Sequence, residues 1–166
     1  MLACRSPRSV SDVQLVYPIV PGGQVLELGT GAGLGTAWLL HGMDPSARLV
    51  TVELDPALSG IAQAELRDGR VDWIVGDGGD WLSANVIAFD LVFADTWPGK
   101  FTHLDEALAA VKPGGFYVID DLLPQQNWPE NHQTAVDDLL NDLRARPDWA
   151  TAYSDDGSGF LLGVRR

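Results

Sequence analysis

The stretch Val25-Leu26-Glu27-Leu28-Gly29-Thr30-Gly31-Ala32-Gly33 constrains the fold of this chain more than any other segment. An apolar run long enough for one buried strand turns there into three glycines at alternate positions, and a helical stretch over residues 33–41 follows. Glycines at such a turn let the backbone adopt conformations that a side chain forbids and pass close to a ligand, so the segment reads as strand, binding loop and helix N-terminus in series. The same rhythm continues: apolar runs at 24–28, 48–53, 71–75, 89–93 and 116–120 alternate with helical stretches at 33–41, 56–67, 80–86 and 101–111. Alternation of this kind predicts a parallel sheet covered by helices on both faces, with right-handed crossovers. A longer helix is expected over 130–146, between Pro129 and Pro147, followed by strands at 149–153 and 160–165. Asp155-Asp156-Gly157 joins these last two as a hairpin, so the final strand of the seven is expected to run against its neighbours.

Composition narrows the class. A chain of 166 residues with 46% apolar content suits one domain spanning residues 1–166, in which 1–21 form a short N-terminal segment with at most one helix near 11–17. The net charge of −12 repels phosphate backbones and anionic lipid, and the basic residues are scattered rather than gathered in a patch, so neither nucleic acid nor membrane is an expected partner. A lone Cys4 excludes an intrachain disulfide and a cysteine zinc cluster, and no apolar run approaches the length of a membrane span or of a signal-peptide core, so a cytoplasmic address is expected.

The loop also selects its ligand. Counted from Gly29 and Gly31, the third position of a dinucleotide fingerprint is Leu34 rather than glycine, so that fingerprint fails. A carboxylate at Glu27 would oppose a pyrophosphate but suits a ligand carrying an ammonium and a sulfonium, which is S-adenosylmethionine. Glu53, at the end of the second strand, stands near the offset at which α/β nucleotide folds place an acid on the ribose hydroxyls, while Asp55 before Pro56 is placed either to cap the next helix or to join that contact. Asp77, Gly78 and Asp80 lie at the C-terminal end of the third strand, where open α/β sheets bind ligands and where helices also need caps. Asp95, Asp120 and Asp121 end the fourth and fifth strands at the same edge, and hard oxygen ligands in that number could hold Mg²⁺ or Ca²⁺. His41, His103 and His132 have no ligand spacing, so zinc and nucleophile triads are not expected. Trp38, Trp73, Trp81 and Trp149 fall inside predicted elements and read as core, whereas Trp128 sits in a loop where it could meet a substrate.

Glu27-Leu-Gly29-Thr-Gly31-Ala-Gly33 resembles the E-x-G-x-G-x-G motif of class I methyltransferases, and the later motifs follow in that family's order. The resemblance implies a Rossmann-like α/β fold and S-adenosylmethionine contacts from Glu27, Gly29, Thr30, Gly31, Gly33, Glu53, Asp77, Gly78, Asp95 and Trp97, with Asp77 accepting from the adenine amino group. Asp95 with Asp120-Asp121 is similar to the metal set of the catechol and caffeoyl-coenzyme A O-methyltransferases, except that Asp121 stands where those have Asn. Asp95-Thr96-Trp97 resembles the Asp-His-Trp of catechol O-methyltransferase, whose next residue is a lysine base; here Pro98 and Gly99 intervene before Lys100. Two roles are therefore open to Lys100, a proton acceptor beside a metal-bound hydroxyl or a solvated surface lysine. The implied activity is methyl transfer to the hydroxyl of a small molecule, with Lys100 and Asp95 as catalytic candidates and metal assistance where a metal is held. The short segment ahead of the first strand leaves the acceptor site either open or closed by a second subunit in a homodimer. A module that binds the cofactor without turnover, and an aminopropyltransferase, are the competing readings; Asp95-Thr96-Trp97 fits the latter poorly.

Overall fold

The computed structural model describes residues 21–125 and 128–166; the expected helix near 11–17 lies outside them. Strands β1 Gln24–Leu28, β2 Arg48–Glu53, β3 Val71–Val75, β4 Phe89–Ala94, β5 Val111–Ile119, β6 Trp149–Ser154 and β7 Phe160–Arg165 form one sheet in the order β3-β2-β1-β4-β5-β7-β6. The first five run parallel, and β7 pairs antiparallel with both β5 and β6, as the hairpin predicts. Helices α1 Leu34–Gly42, α2 Pro56–Glu65, α3 Gly78–Ala84, α4 Leu104–Ala109 and α5 His132–Ala145 complete the chain order.

The pleat explains the two cores. Leu26, Leu28, Val92 and Ala94 face one side, where they pack with Leu82 of α3, Ala107 and Leu108 of α4, and Val136, Leu139, Leu140 and Leu143 of α5. Val25, Leu91, Phe93 and Val118 face the other, against Leu39 and Leu40 of α1. Trp149 is buried and Trp38, Trp73 and Trp81 pack against these clusters, as expected of core tryptophans. α2 starts where the Asp-Pro signal placed it, with Asp55 accepting from the Ala57 amide and Pro56 in the first turn. Among the described residues no helix is long and apolar enough to cross a membrane.

Two elements differ from expectation. β5 begins at Val111, ahead of the Lys112-Pro113-Gly114-Gly115 segment read as a turn. Val111 pairs with Phe89 and Phe116 with Leu91, so two steps along β4 face five along β5, and the extra residues bulge without ending the strand. α4 begins at Leu104 rather than near 101, because residues 97–102 close a tight turn in which the Trp97 carbonyl accepts from the amides of Lys100, Phe101 and Thr102.

Candidate functional site

The strand order places a crevice between β1 and β4. From β1 the chain turns to β2 on one side, whereas β4 lies on the other, and open α/β sheets bind ligands beyond the strand ends at such a reversal. The loop after β1 and the loop after β4 meet on its floor. The Asp95 amide donates to the Leu28 carbonyl at 2.9 Å, and a Cβ on Gly29, whose φ is +98°, would come within 2.9 Å of the Asp95 carbonyl oxygen. A Cβ on Gly31 would meet nothing within 4 Å, which leaves that side of the loop open. The Gly31 amide donates to Glu53 Oε2 at 2.7 Å and the Asp55 amide to Glu53 Oε1 at 2.9 Å, so the acid at the end of β2 braces the glycine loop and stands beside the open space.

Glu27, expected to contact the cofactor, lies in the core beneath the loop. It is fully buried, on the same face of β1 as Val25, and its Oε1 would lie 2.8 Å from a Cβ on Gly35 of α1. Its Oε2 accepts from Thr36 and Thr51, both at 2.6 Å, while Oε1 has no hydrogen-bond partner. Burial pushes its carboxyl up to about 7, against the two threonine bonds that pull it down. Thr30 is buried as well and shares a hydrogen bond with Thr51, so its hydroxyl also points away from the crevice. Asp77 caps α3, its Oδ1 accepting from the amides of Gly79 and Asp80 at 2.8 and 3.0 Å; Gly78, the first residue of that helix, is buried.

Lys100 is the larger departure. Its side chain is only 6% exposed, and Nζ donates to the Asp120 carbonyl at 2.7 Å and to Asp95 Oδ1 at 3.3 Å, so it bridges β4 and β5 instead of lying in solvent. The turn that carries it is held from both sides. Gly99, with φ +89°, packs so closely that a Cβ would meet Leu28 Cδ1 at 2.7 Å, and the buried Tyr117 hydroxyl donates to the Gly99 carbonyl. Tyr117→Phe is expected to lower the urea midpoint by a shift worth about 1–2 kcal/mol, with an unchanged denaturant slope, because it strands that carbonyl without exposing new surface.

Asp95 keeps 39% of its side chain accessible yet lies at the bottom of the crevice with protein on most sides. Its carboxyl is raised by that burial and by the charge of Asp121, and lowered by Lys100. Asp120 is pushed up to about 6, again mainly by burial; Ser158 and the Asp121 amide, which both donate to its Oδ1, work the other way. The expected Mg²⁺ or Ca²⁺ site at Asp95, Asp120 and Asp121 is not assembled: among the described residues no three His, Cys, Asp or Glu side chains are placed to hold a metal ion. The reason is local, since an ammonium lies between the two loops and the Asp120 oxygen is already bonded.

Above this floor Trp97, 53% exposed, meets Phe101 and His132 edge to face, and Trp128 lies 4.2 Å from the His132 ring, between centroids. Trp128, the tryptophan read as a substrate-contact candidate, is thereby packed with Trp97 through the His132 ring. Four residues of the site escaped the sequence reading: Thr36, Thr51, Tyr117 and Ser158. Period-two counting along β2 and β5 puts Thr51 and Tyr117 inward, but nothing local marks Ser158, which arrives from the β6–β7 turn.

Comparison with known proteins agrees with this architecture. A family model described as "Methyltransferase domain" matches residues 26–122. A catechol O-methyltransferase of Mycobacterium tuberculosis is 32% identical over 106 residues, 60% of this chain and 48% of that protein, and one of Niastella koreensis is 30% identical over 127 residues, 71% and 58%. The chain spans about half the length of the curated relatives it matches. An O-methyltransferase from Bacillus cereus, solved in complex with SAH, superposes with a TM-score of 0.82 at 22% identity over 98% of this chain and 82% of that one. TomG from Streptomyces achromogenes, an O-methyltransferase solved in complex with SAM, gives 0.77 at 24% over 99% and 82%. With a family model matching more than half of its length, the chain belongs to the methyltransferase domain family, and catechol O-methyltransferases are among the relatives it is similar to in sequence.

Proposed function

We propose that this chain transfers a methyl group from S-adenosylmethionine to a hydroxyl of a small molecule. The observation that carries the reading is the meeting of a glycine loop that has an open side and a bracing acid, Glu53, with the loop after β4, which carries the buried Lys100 and the more accessible Asp95 it is paired with. The relatives named as catechol O-methyltransferases, and the similar folds solved with SAM or SAH, support it.

When bound, S-adenosylmethionine supplies the methyl carbon: the acceptor oxygen attacks it, the C–S⁺ bond breaks, and the electron pair stays on a sulfur that becomes neutral. The protein contributes alignment and charge. Gly31 and Glu53 border the cofactor side, and Trp97, Trp128 and His132 border the acceptor side. Asp95 takes the hydroxyl proton. Its raised carboxyl makes it a stronger base than an ordinary aspartate, and Lys100, a donor in both of its hydrogen bonds, holds that carboxylate in place rather than accepting the proton itself.

Calorimetric titration tests the cofactor half of the reading. Wild-type protein is expected to bind S-adenosylmethionine and S-adenosylhomocysteine in the micromolar range, and Glu53→Ala to weaken both by about ten- to a hundredfold, the scale of a lost hydrogen bond to a charged group. No heat from either ligand would sink the proposal. Mass-spectrometric detection of a methylated product from catechol then separates an enzyme from a module that binds without turnover.

A further inference from the structure

The site carries a cation of its own. Nζ of Lys100 lies within hydrogen-bond distance of Asp95 Oδ1 and of the Asp120 carbonyl, on a side chain with almost no solvent exposure. Its place is set by packing: Gly99 is pressed against Leu28 and Ala94, Tyr117 holds the Gly99 carbonyl, and the Lys100 amide is bonded to the Trp97 carbonyl at 3.1 Å. One oxygen of the carboxylate that would complete a metal's shell is already engaged, since Asp120 Oδ1 accepts from Ser158 and from the Asp121 amide. Ca²⁺ wants six to eight oxygens and Mg²⁺ a near-ideal octahedron, whereas an ammonium needs only two or three acceptors in a tetrahedral spread. The residues present suit the second cation and not the first.

We propose that Lys100 is the resident cation of this crevice, filling the position between Asp95 and Asp120 that a divalent ion would need and offering its third N–H to the acceptor oxygen. Resting on the methyl-transfer reading, the consequence is that the reaction runs without a divalent metal. The hydroxyl proton passes to Asp95, the O–CH₃ bond forms as the C–S⁺ bond breaks, and the negative charge growing on the acceptor oxygen is met by the ammonium. A single point charge with one N–H left to donate binds one oxygen, where a divalent ion would chelate two, so adjacent hydroxyls on the acceptor are not required.

Titration of the full chain with Mn²⁺, followed by the electron paramagnetic resonance signal of free Mn²⁺, tests the first half without reference to activity. Wild-type protein and Lys100→Arg, which keep a cation in place, are expected to leave the signal undiminished. Lys100→Met is expected to take up one Mn²⁺ per chain and to lose it again when Asp120→Asn is added. One Mn²⁺ bound by wild-type protein and abolished by Asp120→Asn would overturn the proposal, as would a Lys100→Met chain that is folded by circular dichroism and binds none. Should Lys100→Met fail to fold, Lys100→Gln is scored by the same two outcomes. For the second half, methylation of catechol is expected to be unchanged in excess chelator, and abolition by chelator with rescue by Mg²⁺ would overturn it. A chain that binds no S-adenosylmethionine defeats the functional reading, while the Mn²⁺ titration still decides the place of the cation.

Discussion

Gly29→Ala is expected to cost about 2–5 kcal/mol of folding stability and to remove S-adenosylmethionine binding with it. Two penalties coincide at this residue. Its φ of +98° lies where an L side chain is strained whatever the surroundings, and its missing Cβ would sit 2.9 Å from the Asp95 carbonyl oxygen and 3.0 Å from Thr96 Cβ. Neither neighbour can step aside cheaply. The first is backbone at the end of a central strand, and the Asp95 amide is itself tied to the Leu28 carbonyl. Relief requires the β1 and β4 loops to separate, which opens the crevice floor on which both halves of the proposed site stand. For a domain of this size the loss corresponds to a fall in melting temperature of about 5–15 °C. Gly31→Ala is the discriminating control: with nothing within 4 Å of its Cβ position it pays only the positive-φ strain, about 1–2 kcal/mol. Its methyl group projects into the open side of the loop, so weaker cofactor binding with a nearly wild-type melt is the expected result there. Equal melting losses in the two variants would mean that the close approach of the two loops is not what requires a glycine at position 29.

That contrast shows what was legible in the sequence. A run such as Val25 to Leu28 announces a strand because both of its faces are buried, and the glycines after it announce a turn because nothing else tolerates that backbone. The Asp155-Asp156-Gly157 turn sets the direction of β7 for an equally local reason. The burial of Glu27 was legible too, by a rule separate from the motif: alternation puts it on the face of Val25, beneath α1. Lys100 was named as a candidate, but its burial was not legible. Lysine at an exposed-looking Pro-Gly-Lys turn reads as surface, and its burial depends on Tyr117, 18 residues along the chain from Gly99, and on the Asp120 carbonyl of the neighbouring strand, 20 residues from Lys100. Ser158 is further still from its partner, 38 residues along the chain from Asp120. Pairings of this kind are products of the strand order, and no local pattern encodes them.

Replacing Glu27 with glutamine is expected to change the slope of stability against pH more than its level. The carboxyl's ordinary value of 4.5 applies to the unfolded chain, and burial raises it to about 7 in the fold. The folded protein therefore holds a proton that the unfolded chain gives up between these two values. The stability tied to that proton is fully present below 4.5 and is lost as pH rises through 7, with wild-type protein weakening by about 3 kcal/mol from this group alone between pH 4 and pH 8. Glutamine cannot ionise, so Glu27→Gln keeps the neutral state at every pH. Its carbonyl can accept from Thr36 and Thr51 as Oε2 does, while its amide takes the place of Oε1, the atom without a partner, and leaves a donor unpaired at a cost of about 1–3 kcal/mol that does not vary with pH. The constant cost sets the level and the missing ionisation sets the slope. Urea melts of both proteins at pH 4, 6 and 8 separate the two, and the stability of the variant relative to wild type is expected to rise by about 3 kcal/mol across that range. Other titrating groups are common to both chains and cancel in the difference. A difference that stays flat from pH 4 to 8 would mean that Glu27 ionises freely in the fold, with its charge met by a group other than the two threonines.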